Sequence, residues 1–165
     1  MKKLVLIFIF SISYSVAFSQ YEKNVITDRP PQVIYFQVGG SAPAFSLNYD
    51  RRISSTTNGF GFALGIGYYG FSQAHVFSIP ASVNYLFGSE INFIELAAGA
   101  TFINGTTSKI LNGVSTNESD FLYHFNAGYR YQPAAGQFFF RIGASPLFGD
   151  GGYITSFYLG LGHNF

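Results

Sequence analysis

No cysteine occurs anywhere in the chain, so disulfides cannot stabilise a small exported domain and no thiolate metal site exists. Tryptophan is also absent, which leaves tyrosine as the residue for anchoring at a membrane interface. Charge is scarce: only 10% of the 165 residues are Asp, Glu, Lys or Arg, less than half the share a water-facing domain normally carries. The formal net charge is +1 and turns slightly negative once Lys2 and Lys3 are discounted, which excludes the basic footprint of a nucleic-acid binder. No segment offers an uninterrupted apolar run of the roughly 20 residues that a membrane helix needs, so insertion in a bilayer would require a closed barrel. What the chain has instead is 20 Phe and 19 Gly. Large aromatics interleaved with the smallest residue describe strands with one bulky face and one crowded face.

Met1 to Ser19 reads as a secretory signal peptide. Lys2 and Lys3 form its charged start, Leu4 to Phe10 its apolar core, and Ala17-Phe18-Ser19 a small-x-small cleavage site before Gln20. Ser11, Ser13 and Ser15 interrupt the run, which argues against a retained anchor. A polar, proline-containing lead-in covers Gln20 to Gln32, placed in the periplasm, and residues 33–165 form the remaining domain.

That domain divides into eight alternating segments, expected as strands at Val33–Gly39, Ala44–Ile53, Gly59–Tyr69, Ala74–Phe87, Asn92–Ile103, Phe121–Gln132, Gln137–Leu147 and Tyr153–Phe165. In the sixth, Phe121, Tyr123, Phe125, Ala127, Tyr129 and Tyr131 face one way, and Leu122, His124, Asn126, Gly128, Arg130 and Gln132 the other. In the third, Phe60, Phe62, Leu64 and Ile66 oppose Gly59, Gly61, Ala63, Gly65 and Gly67. A soluble barrel buries its greasy face and covers the other with Lys, Glu and Thr. Here the second face is Gly, Ala, Ser and Asn, which suits a narrow lumen, so the greasy face is assigned to lipid. The expected fold is all-β: an eight-stranded antiparallel up-and-down transmembrane β-barrel.

Ser54–Asn58, Gly88–Ile91 and Pro133–Gly136 are short, as periplasmic turns should be, while Asn104–Asp120 is a long polar external loop. The first external loop, Gly40–Pro43, is short. Tyr35, Tyr68, Tyr69, Tyr85, Tyr129 and Tyr131 fall near strand ends and are assigned to the interfaces. Pro80 should interrupt a ladder bond and marks a candidate bulge. Asn104-Gly-Thr and Asn117-Glu-Ser match a glycosylation pattern too short to weigh much.

Several stretches resemble the small outer-membrane β-barrel proteins of Gram-negative bacteria, of the OmpA and OmpX type. They include Ser46-Leu-Asn-Tyr-Asp-Arg-Arg52, Ile79-Pro-Ala-Ser-Val-Asn-Tyr-Leu-Phe-Gly88, Asn126-Ala-Gly-Tyr-Arg-Tyr-Gln-Pro133 and Arg141-Ile-Gly-Ala-Ser-Pro-Leu-Phe148. The most specific is the C-terminus, Tyr158-Leu-Gly-Leu-Gly-His-Asn-Phe165. It is similar to the family's assembly signal, a terminal aromatic preceded by apolar residues at every second position. The resemblance implies an outer-membrane location, contact with outer-membrane lipid, and reading of Phe157, Leu159, Leu161 and Phe165 by the barrel-assembly machinery. His163 departs from the apolar residue usual at its place.

The face assignment sends Glu95, Arg130 and Arg141 into the lumen on three consecutive strands near the periplasmic end. Asp50 and Arg52 form a second inward pair, with Arg51 outward near the headgroups. An ion-pair cluster that plugs the barrel is the expected role, since an Arg facing lipid at midplane costs roughly 2–4 kcal/mol. A gate or an anion site is the competing reading. His124, inward beside Asn126, is the residue to test for catalysis in a lipid-modifying barrel. Neither a suitably spaced serine nor an acid partner accompanies it. His75 and His163 lie outward and too far apart in sequence for a metal motif. Gly149-Asp-Gly-Gly152 is a turn without the strand and helix of a phosphate loop. No catalytic residue, metal or cofactor is expected. The expected function is a non-enzymatic outer-membrane barrel with a structural or surface-interaction role; a lipid-modifying enzyme and a minor diffusion channel are the alternatives. Nothing in the sequence names an external ligand or protein partner.

Overall fold

The computed structural model describes residues 29–71, 74–106, 118–133 and 137–165. The signal peptide and the lead-in through Asp28 lie outside the described residues. So do the middle of the Asn104–Asp120 loop, with Asn117, and residues 134–136. Eight strands follow in chain order: β1 Gln32–Gly39, β2 Phe45–Arg52, β3 Gly59–Phe71, β4 Ala74–Ser89, β5 Asn92–Thr106, β6 Glu118–Tyr131, β7 Phe138–Gly149 and β8 Gly152–Asn164. Each pairs antiparallel with its chain neighbour, and β1 with β8, so the sheet closes on itself and leaves no lateral edge along the paired lengths.

Register fixes the shape of the barrel. Following partners from Val33 through Asp50, Ala63, Ser82, Gly99, His124 and Leu147 to Ile154, the β1–β8 register extends to position 43, ten residues beyond the start. A stagger of ten over eight strands, at about 3.3 Å per residue and 4.8 Å between strands, gives a tilt of roughly 40°. Such a barrel has room inside for side chains and for little else.

Period-two alternation decides what meets what. Ile34, Phe36 and Val38 on β1, Leu64 and Ile66 on β3, and Phe121, Tyr123 and Phe125 on β6 all stand exposed on the outside. The opposite face of the barrel wall is buried and polar: Gln37, Asn48, Asp50, Asn84, Glu95, Thr101, Asn126 and Arg130. An apolar wall around a polar interior is stable against hydrocarbon and unstable against water. Two small apolar clusters sit inside the lumen. Val33, Tyr35 and Phe139 pack at the end carrying the chain termini. Val76, Ile103 and Leu122, with Tyr69 against them, pack at the other.

Four expectations need correction. Strand β6 begins at Glu118 and β5 runs on to Thr106, because alternation continues through polar residues that composition alone assigns to a loop. Pro80 marks no bulge. The β3–β4 register is the same on both sides of it, at Leu64↔Ala81 and Gly67↔Ser78, and only the pairs between are missing from the ladder. Tyr35 is not interfacial; it is 3% exposed and points into the lumen, as its position between outward Ile34 and Phe36 requires. Finally, the Gly40–Pro43 segment is not a free external loop. Gly39 and Gly40 both adopt positive φ, 71° and 76°, a conformation costly for other residues. The chain turns inward there, burying Ser41 and Ala42.

Candidate functional site

The lumen narrows to a belt of charged side chains near the end that carries the termini. Asp50 on β2 is its hub. Both of its oxygens accept from the Arg130 guanidinium, at 2.9 and 3.0 Å, across the lumen from β6. Arg52 donates to the same carboxylate at 2.9 Å and Asn84 at 2.6 Å. Arg52 also donates to Asn84 Oδ1 and, at 3.2 Å, to the Gly59 carbonyl. Arg130 Nε donates to Gln132 at 2.8 Å, and Gln132 to Asn164 at 3.3 Å, carrying the network to the last residue of β8.

A second carboxylate links the rest. Glu95 Oε1 on β5 lies 3.5 Å from Arg130 and 3.4 Å from Arg141 on β7. Arg141 donates to the Tyr35 hydroxyl at 2.8 Å. Its guanidinium carbon lies 5.2 Å from the Tyr35 ring centroid and 4.5 Å from that of Tyr158. Arg130 stacks on Phe139 at 4.8 Å. Glycines create the space for these groups. A Cβ on Gly61 would lie 2.0 Å from the Arg52 guanidinium, and one on Gly160 2.7 Å from the Arg141 stem. A Cβ on Gly128 or Gly143 would lie 2.5 Å from the Tyr158 hydroxyl.

Sequence reasoning treats Asp50 with Arg52 and Glu95 with Arg130 and Arg141 as separate groups; the geometry joins all five through Arg130. Tyr35, Asn84, Gln132, Asn164 and Tyr158 belong to the same assembly and were not singled out as members. Strand parity marks every one of them as inward, which is the signal that was available.

Above the belt the lumen is polar and differently organised. The Thr101 hydroxyl donates to the Ser41 carbonyl of the inturned segment at 2.6 Å. Its oxygen therefore accepts from His124 Nδ1, 3.3 Å away. Ser156 accepts from Gly40 N–H at 2.9 Å, fixing the other side of the turn. With its hydroxyl proton committed to a carbonyl, Thr101 is not poised as a nucleophile, and His124 is 1% exposed. Among the described residues no group of three His, Cys, Asp or Glu side chains is placed to hold a metal ion. His75 is outward, 3.0 Å from the Tyr68 hydroxyl, and His163 is outward as well.

At the C-terminus, Phe157, Leu159, Leu161 and Phe165 project outward from β8 and its end. Phe165 N–H donates to the Gln32 carbonyl at 2.9 Å, and Gln32 N–H to Phe165 O at 3.2 Å, which closes the seam between the two termini.

No protein-family model matches the chain, and no curated protein matches it. Solved structures do. The N-terminal β-barrel domain of Pseudomonas aeruginosa OprF aligns with a TM-score of 0.59 at 19% identity, covering 84% of this chain and 98% of that one. The chain has the fold of the small outer-membrane β-barrels. Neisserial surface protein A shares that barrel at a TM-score of 0.51 and 15% identity, over 82% of this chain and 94% of its own. The attachment invasion locus protein Ail of Yersinia pestis, solved with the heparin analogue sucrose octasulfate, aligns at 0.50 and 16% identity, over 83% and 99%. All three are outer-membrane barrels of eight strands. At these identities the likeness concerns the fold and not the lumenal residues.

Proposed function

We propose that this chain is an integral outer-membrane protein without enzymatic activity, whose closed barrel is a rigid support for contacts made at the outer face. The observation that carries the reading is the occupied lumen. Asp50, Arg52, Glu95 and Arg130 are fully buried against one another across the lumen, and His124 above them is 1% exposed, which supports a filled interior over a pore or a catalytic cleft. An eight-stranded lumen filled in this way supports neither appreciable diffusion nor entry of a lipid substrate. The contacts are assigned to the connection between β5 and β6, residues 107–117, since loops on a rigid scaffold carry specificity. Export by removal of residues 1–19, and reading of Phe157, Leu159, Leu161 and Phe165 by the assembly machinery, belong to the same proposal.

Purified barrel in planar lipid bilayers tests it, with lipid composition read in parallel from cells carrying His124→Ala. The proposal expects no sustained single-channel conductance and lipid species unchanged by the substitution. Steady, sizeable conductance would install the channel reading. Loss of a lipid species in the variant would install the enzyme.

A further inference from the structure

Three arginines, Arg52, Arg130 and Arg141, share the buried belt with two carboxylates, Asp50 and Glu95, and all five are at most 2% exposed. His124 stands above this belt and bonds through Nδ1 to Thr101, 3.3 Å away, not to any member of it. Within the belt one positive charge is thus left over, in a compartment where an uncompensated charge is expensive.

The hydrogen bonds locate the excess. Asp50 is saturated by Arg52, Arg130 and Asn84. Glu95 holds Arg130 and Arg141 only at 3.5 and 3.4 Å and makes no well-aligned hydrogen bond to either. Arg141 spends Nη1 on the neutral Tyr35 hydroxyl and faces Glu95 Oε1 with Nη2 at 3.4 Å without a hydrogen bond, while its Nε finds no acceptor at all. Tyr158, whose ring lies against the same guanidinium, also has a hydroxyl without a partner. The two tyrosine rings offset part of the charge through their faces, but a ring quadrupole does not neutralise a full cation. Gly160, Gly128 and Gly143 hold Arg141 and Tyr158 in these positions, since a side chain at any of them would collide with one or the other.

We infer that the lumen binds one small monovalent anion of chloride size at Arg141, held by the Arg141 Nε–H and Nη2–H and the Tyr158 hydroxyl. An excess of one charge matches a monovalent ion and not a sulfate or phosphate. The donors are two N–H groups and one O–H, which suits a compact ion taking few ligands. The site is independent of the proposal that the barrel lacks enzymatic activity, because a bound anion neither requires nor forbids conduction.

The test uses the full mature barrel in detergent micelles. Thermal unfolding is followed while chloride replaces gluconate at constant ionic strength, so that general screening is held fixed. The inference expects a saturable rise in Tm on the order of 5 °C in wild type. Glu95→Gln, which raises the excess charge, should steepen the chloride dependence. Arg141→Gln should abolish it, and if that variant does not fold, Tyr158→Phe should weaken it. Crystals grown in bromide should show anomalous density within hydrogen-bond distance of Arg141 Nε. Equal Tm in chloride and gluconate, or a chloride effect retained in full by Arg141→Gln or Tyr158→Phe, overturns the inference, as does bromide density confined to the exterior.

Discussion

Asp50 accepts from two guanidiniums and an amide while fully buried, so its neutralisation leaves two arginines without their shared counter-charge. Breaking a buried pair from one side typically costs about 3–5 kcal/mol, more than the pair contributes over an apolar substitute. Asp50→Asn should therefore lose roughly that much in urea unfolding of the micellar barrel; a loss below about 1 kcal/mol would mean that Asp50 is not the hub described. Which residues point inward was legible from parity alone, and parity places Tyr35 inward too, although its closeness to a strand end suggests an interface. What parity cannot supply is distance across the lumen. Asp50 on β2 meets Arg130 on β6, half-way round the barrel, and that meeting depends on the stagger that closes the sheet.

At the scale of elements, the strands follow from alternation, and their observed limits differ from the expected ones by a few residues at most. The discrepancies have local causes. Polar residues continue the alternation at the outer ends of β5 and β6, and Gly39 with Gly40 turns the β1–β2 connection into the lumen, where Thr101 and Ser156 hold it. No local pattern announces that second outcome, because the partners come from β5 and β8. Pro80 and Pro146 act alike. Each coincides with a gap in the ladder to the preceding strand, at positions 65–66 opposite 79–80 and at 125–126 opposite 145–146, with register unchanged on either side. A missing donor explains the gap without any extra residue. Pro80→Ala supplies that donor, worth about 1 kcal/mol, and also frees the unfolded chain by a similar amount. Overall stability should stay within about 1 kcal/mol of wild type while the amide at position 80 becomes protected from hydrogen exchange. A fast-exchanging amide there would assign the gap to strand distortion instead.

For the whole molecule, the decisive feature is that the greasy faces point out and the polar faces in. That orientation was legible because the second face is too small and too poorly charged to meet water, a conclusion reached from composition before any contact is known. The activity was not legible in the same way. Charged residues arranged to fill a lumen use the same residue types as a site that binds, and only their geometry separates Asp50, which is saturated, from Arg141, which is not. The central claim is a closed barrel embedded in the outer membrane, and gel mobility of the outer-membrane fraction with and without boiling tests it most directly. A paired, edgeless sheet resists unfolding by detergent. The account predicts that the protein is found in that fraction and migrates differently before and after heating. Recovery in the soluble fraction, with one mobility under both conditions, would contradict it.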